Sequence, residues 1–228
     1  MTVTTPTMLA LDFDGVLCDG LIEYFQVAWR TYEQLWQPDR STPPEDLAPV
    51  FYRLRPVIET GWEMPVLLEA LRQGVPETEI LQHWVGIAPQ ILADSHLDAK
   101  TIGTALDCQR DKWITTDLNS WLALHRFYPG VIERLQSIIS SSVYPVIIST
   151  KEGRFIKQLL HEQGIELSDP QIIGKESQRP KHQVLRELGA ADNTLSSIWF
   201  IEDRLKTLLS IQPYADLAAI RLFLADWG

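Results

Sequence analysis

The spacing of apolar and polar positions changes period twice along the chain. Met8–Phe13 is a short, nearly unbroken apolar run closed by Gly15. It predicts a buried strand followed by a turn. From Gly20 to Trp36, Leu21, Phe25, Ala28, Trp29, Tyr32, Leu35 and Trp36 recur at helical spacing, and Pro38, Pro43 and Pro44 end the helix. Helical patterns follow over Glu45–Leu54, Met64–Gln73, Pro76–Val85, Pro89–His96 and, with interruptions, Ala99–Leu124. No segment of 20–126 reads as strand.

After Pro129-Gly130 the period alternates. Val131–Ile139 predicts a helix, Val143–Ser149 a strand, and Glu152–Gln163 a helix stopped at Gly164. Gln171–Ile173 reads as strand, Pro180–Leu188 as helix and Ser197–Ile201 as strand. Leu205–Ile211 reads as helix and Ala219–Leu224 as a last strand. Strands alternating with helices imply right-handed crossovers and a parallel sheet. The predicted architecture is α/β: a doubly wound, Rossmann-like parallel-sheet core over 1–19 and 127–228, with an all-helical domain inserted over 20–126.

Composition narrows the choice of partners. The 228 residues are 45% apolar and 22% charged, with a net charge of −10, the profile of a globular chain without low-complexity tracts. An acidic chain lacks the basic face that nucleic acid or an anionic membrane would require. The longest uncharged stretch, Leu135–Thr150, carries five serines and a proline, which excludes a bilayer span. The polar opening stretch 1–7 does not read as a secretory signal. Only Cys18 and Cys108 occur, as expected in a reducing cytoplasm. Oligomeric state is not read from these features.

Candidate chemistry gathers at predicted strand ends, where open α/β sheets bind ligands. Asp12-Phe13-Asp14-Gly15 ends the first strand. Two carboxylates two residues apart can converge on one point, one attacking while the other moves a proton or orients a metal. Ser149 and Thr150 end the next core strand, and Glu202-Asp203 a later one. Lys181 opens a helix behind Pro180, a favoured first-turn arrangement. Each has a structural alternative: helix cap for Ser149 or Thr150, solvated charge for Lys181, acidic helix start for Glu202 and Asp203. All four in this order at one sheet edge argue for a site.

On these residues the chain resembles the haloacid dehalogenase-like (HAD) hydrolase superfamily, most closely its phosphoglycolate-phosphatase-like branch with a helical (C1-type) cap. Asp12, Asp14 and Gly15 match its opening Asp-x-Asp-Gly. Ser149, followed by Thr150-Lys151, matches its strand-end hydroxyl, and Glu202-Asp203 its strand-end acids. Phe127-Tyr128-Pro129-Gly130-Val131 looks like the return from cap to core. Two features depart from the pattern. Thr207 stands where the family often has a second Asp, a place Glu202 can take over. Lys175 has the spacing to Leu188-Gly189 of one lysine form but lacks its proline, whereas Lys181 fits the form where lysine begins the helix. The Pro180 helix start favours Lys181.

The resemblance implies a Mg²⁺-dependent phosphatase acting on a small phosphorylated metabolite. Asp12 would attack phosphorus and form an aspartyl-phosphate; Asp14 would protonate the leaving oxygen and then activate water. Mg²⁺ would sit among the Asp12 carboxylate, the Asp14 carbonyl, Glu202 and Asp203. Gly15, Ser149, Thr150 and Lys181 would hold the phosphate under a cap that closes over the site; Arg55, in a stretch to Gly61-Trp62 that mixes cations, a flexible glycine and an aromatic, reads either as a substrate contact of that cap or as a solvated helix end. Dehalogenation needs no acid at Asp14. A phosphomutase on the same scaffold, or a non-catalytic ligand-binding or regulatory protein, stays open, the latter because of Thr207.

Overall fold

The computed structural model describes residues 5–38, 41–192 and 197–228; the first four residues of the polar opening stretch lie outside these. Two compact units are present, one of Met1–Asp19 with Arg126–Gly228 and one of Gly20–His125.

In chain order the elements are β1 (Met8–Leu11), β2 (Cys18–Asp19), α1 (Leu21–Trp36), α2 (Leu47–Leu54), α3 (Glu63–Arg72), α4 (Glu77–Asp94) and α5 (Ala99–Leu122). They continue with β3 (Arg126–Phe127), α6 (Val131–Ile139), β4 (Tyr144–Ile148), α7 (Gly153–Glu162), β5 (Ile172–Ile173), α8 (Lys181–Asp192), β6 (Ile198–Glu202), α9 (Leu205–Ile211) and β7 (Arg221–Leu224).

The first unit is built on a five-stranded sheet in the order β5-β4-β1-β6-β7, and every neighbouring pair is parallel. The sheet is the doubly wound α/β arrangement that alternating strands and helices require. After β1 the chain builds β4 and β5 on one side, then crosses to build β6 and β7 on the other. That reversal places the topological switch point at β1, where such sheets open a crevice. Along β6 the side chains alternate with period two. Ile198 and Phe200 are buried, with Met8, Ala10, Val146 and Ile148, under Val184 and Leu185 of α8 and Leu208 and Ile211 of α9. Trp199 and Ile201 face the opposite side, where with Leu9, Leu11, Leu135 and Ile138 they line an apolar cavity of about 670 Å³.

The second unit is helical. Its core collects Phe25, Ala28, Trp29 and Tyr32 of α1, Phe51 and Leu54 of α2, Met64, Leu67 and Leu68 of α3, Ile80 and Trp84 of α4, and Ile102 and Leu106 of α5. The alternation of apolar residues in α1 is therefore a packing stripe. Two sequence expectations change here. The predicted pair Pro76–Val85 and Pro89–His96 forms α4, two helical stretches joined at a kink, but the break falls at His83 (φ −130°) and Pro89 stands inside the second stretch. Proline removes one hydrogen bond of the helix, yet Pro89 does not mark the break. A short antiparallel ladder also pairs Cys18 with Phe127 and Asp19 with Arg126. Two-residue strands are too short to leave a periodic signal, so Arg126, read from sequence as part of the insert, begins β3.

Candidate active site

Parallel register brings the strand-end residues together. Leu11 pairs with Ile201 of β6, so the next residues, Asp12 and Glu202, end adjacent strands side by side. Leu11 also pairs with Ile147 of β4, which sets Ser149 beyond the same edge. The Asp12 amide continues the ladder to the Ile201 carbonyl at 3.0 Å, and the Ser149 amide donates to the Ile173 carbonyl at 3.0 Å. Both side chains are fixed by sheet backbone and are nearly buried.

The loop after β1 folds back on itself. Gly15 donates to the Cys18 carbonyl, and Leu17 and Cys18 both donate to the Phe13 carbonyl. Gly15 adopts φ +81°, and a Cβ there would collide with the Asp203 carboxylate. Only glycine meets both requirements at low cost. The loop thereby keeps Asp12 and Asp14 at the sheet edge and lets Asp203 close over the turn.

Asp12, Glu202 and Asp203 each offer a carboxylate oxygen, and these three lie within 4.8 Å of one another. Glu202 is fully buried, and its Oε1 has no hydrogen-bond partner among the described residues. A buried oxygen without a donor is costly unless something fills the gap. An all-oxygen, all-acid set with such an atom suits a hard divalent cation. Thr207 is not in the cluster; it lies in α9, where its amide donates to the Arg204 carbonyl. Glu202 supplies the third acid instead.

Lys181 enters this cluster from the start of α8. Its Nζ lies 2.6 Å from Asp12 Oδ2 and 2.6 Å from Glu202 Oε2. Burial acts to lower the lysine pKa, but the Asp12 and Glu202 carboxylates override it and hold it above the ordinary value. Burial, and then the Asp12 charge, push the Glu202 carboxyl up to about 7 against the pull of Lys181. The surrounding field is negative as well. The Tyr128 hydroxyl is raised to about 12 by burial and then by Asp19 and Asp203. The Cys18 thiol is raised to about 12 by burial and then by Asp14, which keeps it an inert thiol.

Lys175 sits in a single turn of 3₁₀ helix, half exposed, with its Nζ 4.0 Å from Glu152. Thr150 is exposed at the end of β4. Arg55 belongs to the helical unit, where its guanidinium donates to the Ile58 carbonyl at 3.0 Å and lies over the Tyr24 ring.

One residue at the site was given no role by sequence reasoning. Lys151, only 5% exposed, places its Nζ 3.2 Å from Asp14 Oδ1. The signal that could have found it is positional. It follows the strand-end Ser149 by two residues, in the turn where its amide donates to Ser149 Oγ at 3.3 Å. The large apolar cavity beside Trp199 includes neither Asp12 nor Asp14 among its lining residues, so cavity size does not mark the chemistry here.

No protein-family model and no curated protein sequence matches the chain. Solved structures do. A predicted phosphoglycolate phosphatase from Haemophilus somnus matches with a TM-score of 0.61 at 14% identity, over 96% of this chain and 85% of its own. A predicted phosphatase from Clostridium acetobutylicum matches at 0.55 and 14%, over 98% and 96%. A HAD-superfamily hydrolase of subfamily IA from Geobacter sulfurreducens matches at 0.52 and 12%, over 97% and 89%. The fold is that of the HAD-like hydrolases, the resemblance that the strand-end motifs carried. No helix among the described residues is long and apolar enough to cross a membrane.

Proposed function

We propose that the protein is a Mg²⁺-dependent phosphoric monoester hydrolase that acts on a small phosphorylated metabolite in the cytoplasm. The observation that carries this reading is the meeting of Asp12, Glu202 and Asp203 within 4.8 Å, with Lys181 Nζ 2.6 Å from Asp12. Phosphoryl transfer asks mainly for charge neutralisation and positioning, and this cluster offers both. The likeness in fold to a predicted phosphoglycolate phosphatase and a predicted phosphatase agrees with it.

In the proposed reaction an Asp12 oxygen attacks phosphorus as the bond to the leaving oxygen breaks, giving an aspartyl-phosphate. Asp14 gives its proton to the leaving oxygen. A water then attacks phosphorus, its proton passes to Asp14, and the bond to Asp12 breaks to release phosphate. Ser149 and Lys181 hold the phosphate oxygens. The Asp12, Glu202 and Asp203 carboxylates, with the Asp14 backbone carbonyl, would hold Mg²⁺, which when bound neutralises phosphate charge that the acids would otherwise repel. Gly15 leaves room for that arrangement. Asp14, two residues from the nucleophile, is the feature that favours phosphoryl transfer over dehalogenation.

The test is phosphate release from a panel of phosphorylated sugars, glycolate, nucleotides and cofactors, with Mg²⁺ and with excess chelator. Release from at least one small ester, lost on chelation, is expected. Undiminished release in chelator would remove the metal from the account. No release from any ester would contradict the hydrolase reading, and phosphate moved within the substrate would assign a mutase.

A further inference from the structure

We propose that Lys151 is a positioning residue for Asp14, fixing which carboxylate oxygen exchanges the proton. This rests on the hydrolase reading above, in which Asp14 is the proton carrier.

The site contains two lysines on different acids. Lys181 bridges Asp12 and Glu202, and the buried Lys151 sets its Nζ 3.2 Å from Asp14 Oδ1. The Lys151 side chain is 2% exposed and that of Asp14 12%. A lysine buried this deeply has lost its water and is retained only where a fixed partner compensates it. Its backbone is held from both sides. The Lys151 amide donates to Ser149 Oγ at 3.3 Å, and its carbonyl accepts from the Lys175 amide at 3.0 Å. Gly174 packs so tightly here that a Cβ on it would lie 2.8 Å from the Lys151 carbonyl and against the Gly153 amide. Lys175 thus contributes its backbone to the site, while its side chain lies outside.

An anchored ammonium on Oδ1 leaves Oδ2 as the oxygen that gives its proton to the leaving group and later takes one from water. Without Lys151 the carboxyl is free to rotate, and the loss falls on proton transfer rather than on phosphate binding. A misplacement of about 1 Å in such a group can cost roughly 10²-fold in rate.

The experiment compares wild type with Lys151→Met, Lys151→Arg, Asp14→Asn and the double variant Asp14→Asn/Lys151→Met. Each is assayed on an alkyl phosphate and on p-nitrophenyl phosphate, whose leaving group needs little protonation. Lys151→Met is expected to lose about 10²-fold on the alkyl ester and under about threefold on the aryl ester. It should add nothing to Asp14→Asn, and Lys151→Arg should recover part of the loss. Calorimetric affinity for inorganic phosphate should stay within about twofold, since Lys151 acts through Asp14 and not on the phosphate. Equal losses on both esters, additive losses in the double variant or loss of phosphate affinity would overturn the proposal. Crystal structures of wild type and Lys151→Met decide it even if no ester is hydrolysed. Asp14 must leave its position in the variant; an unmoved Asp14 overturns the positioning role, whereas an inactive wild type overturns only the hydrolase reading.

Discussion

Lys181 sets its ammonium 2.6 Å from Asp12 Oδ2 and equally close to Glu202 Oε2, so one cation ties together the ends of two neighbouring strands. Lys181→Ala is therefore expected to weaken inhibition by inorganic phosphate and to cut turnover by about 10²-fold or more, as loss of a preorganised charge does. Lys175→Ala should stay within about twofold, because a half-exposed lysine is screened by water. Steady-state kinetics with phosphate as inhibitor check both. A severe defect confined to Lys175→Ala would reverse the assignment.

Gly15 is the second point where geometry leaves one choice. Its φ of +81° costs any other residue roughly 1–2 kcal/mol, and the added methyl group would meet the Asp203 carboxylate. Gly15→Ala should displace Asp203 and weaken Mg²⁺ binding more than it lowers the melting temperature. Calorimetric titration with Mg²⁺ alongside thermal unfolding separates the two. Unchanged Mg²⁺ affinity would contradict the role given to Asp203.

Much of this arrangement was legible in the sequence because it depends on chain order and local spacing. Met8–Leu11 is wholly buried, which is why it reads as an apolar run; Asp12 and Gly15 follow as a strand end and turn. Pro180 marked the helix start that aims Lys181. What stayed hidden depends on pairing. Nothing local says that Leu11 aligns with Ile201, and so sets Asp12 beside Glu202, or that Lys151 faces Asp14 across 137 residues. The break within α4 was misplaced for a related reason: it falls at His83, and the buried row Ile80, Trp84, Ala88 and Ile91 spans it, a packing that no local signal states.

The helical unit carries its own buried ion pair. Arg110 donates to both oxygens of Glu23, at 2.8 and 3.0 Å, and Trp121 Nε1 donates to the same carboxylate at 3.2 Å. Glu23 is fully buried and Arg110 nearly so. Arg110→Met alone leaves an uncompensated charge and should destabilise the unit by about 3–5 kcal/mol. Glu23→Leu/Arg110→Met should recover much of that loss. Urea unfolding of the three proteins is the measurement, and equal losses in the single and double variants would contradict the pairing.

A second acid in this unit predicts a pH dependence. Burial works to raise the Glu69 pKa, but hydrogen bonds from Arg72, Gln73 and Tyr32 override it and hold the carboxyl below its ordinary value of 4.5. A group depressed in the folded state contributes stability above its unfolded pKa and loses it as pH falls through the folded one. Glu69→Gln should therefore be less stable than wild type near neutrality, with the gap closing on acidification below about pH 4.5. Thermal unfolding across that range checks it. A gap that widens on acidification would reverse the sign.

The central claim is that Asp12 is the nucleophile, and one comparison tests it most directly. Phosphate release from an activated aryl phosphate is measured with Mg²⁺ for wild type and Asp12→Asn, with circular dichroism confirming that both are folded. An amide has no carboxylate oxygen to attack phosphorus, so the account predicts turnover in wild type and none above background in the folded variant. Turnover of Asp12→Asn at the wild-type rate would contradict it.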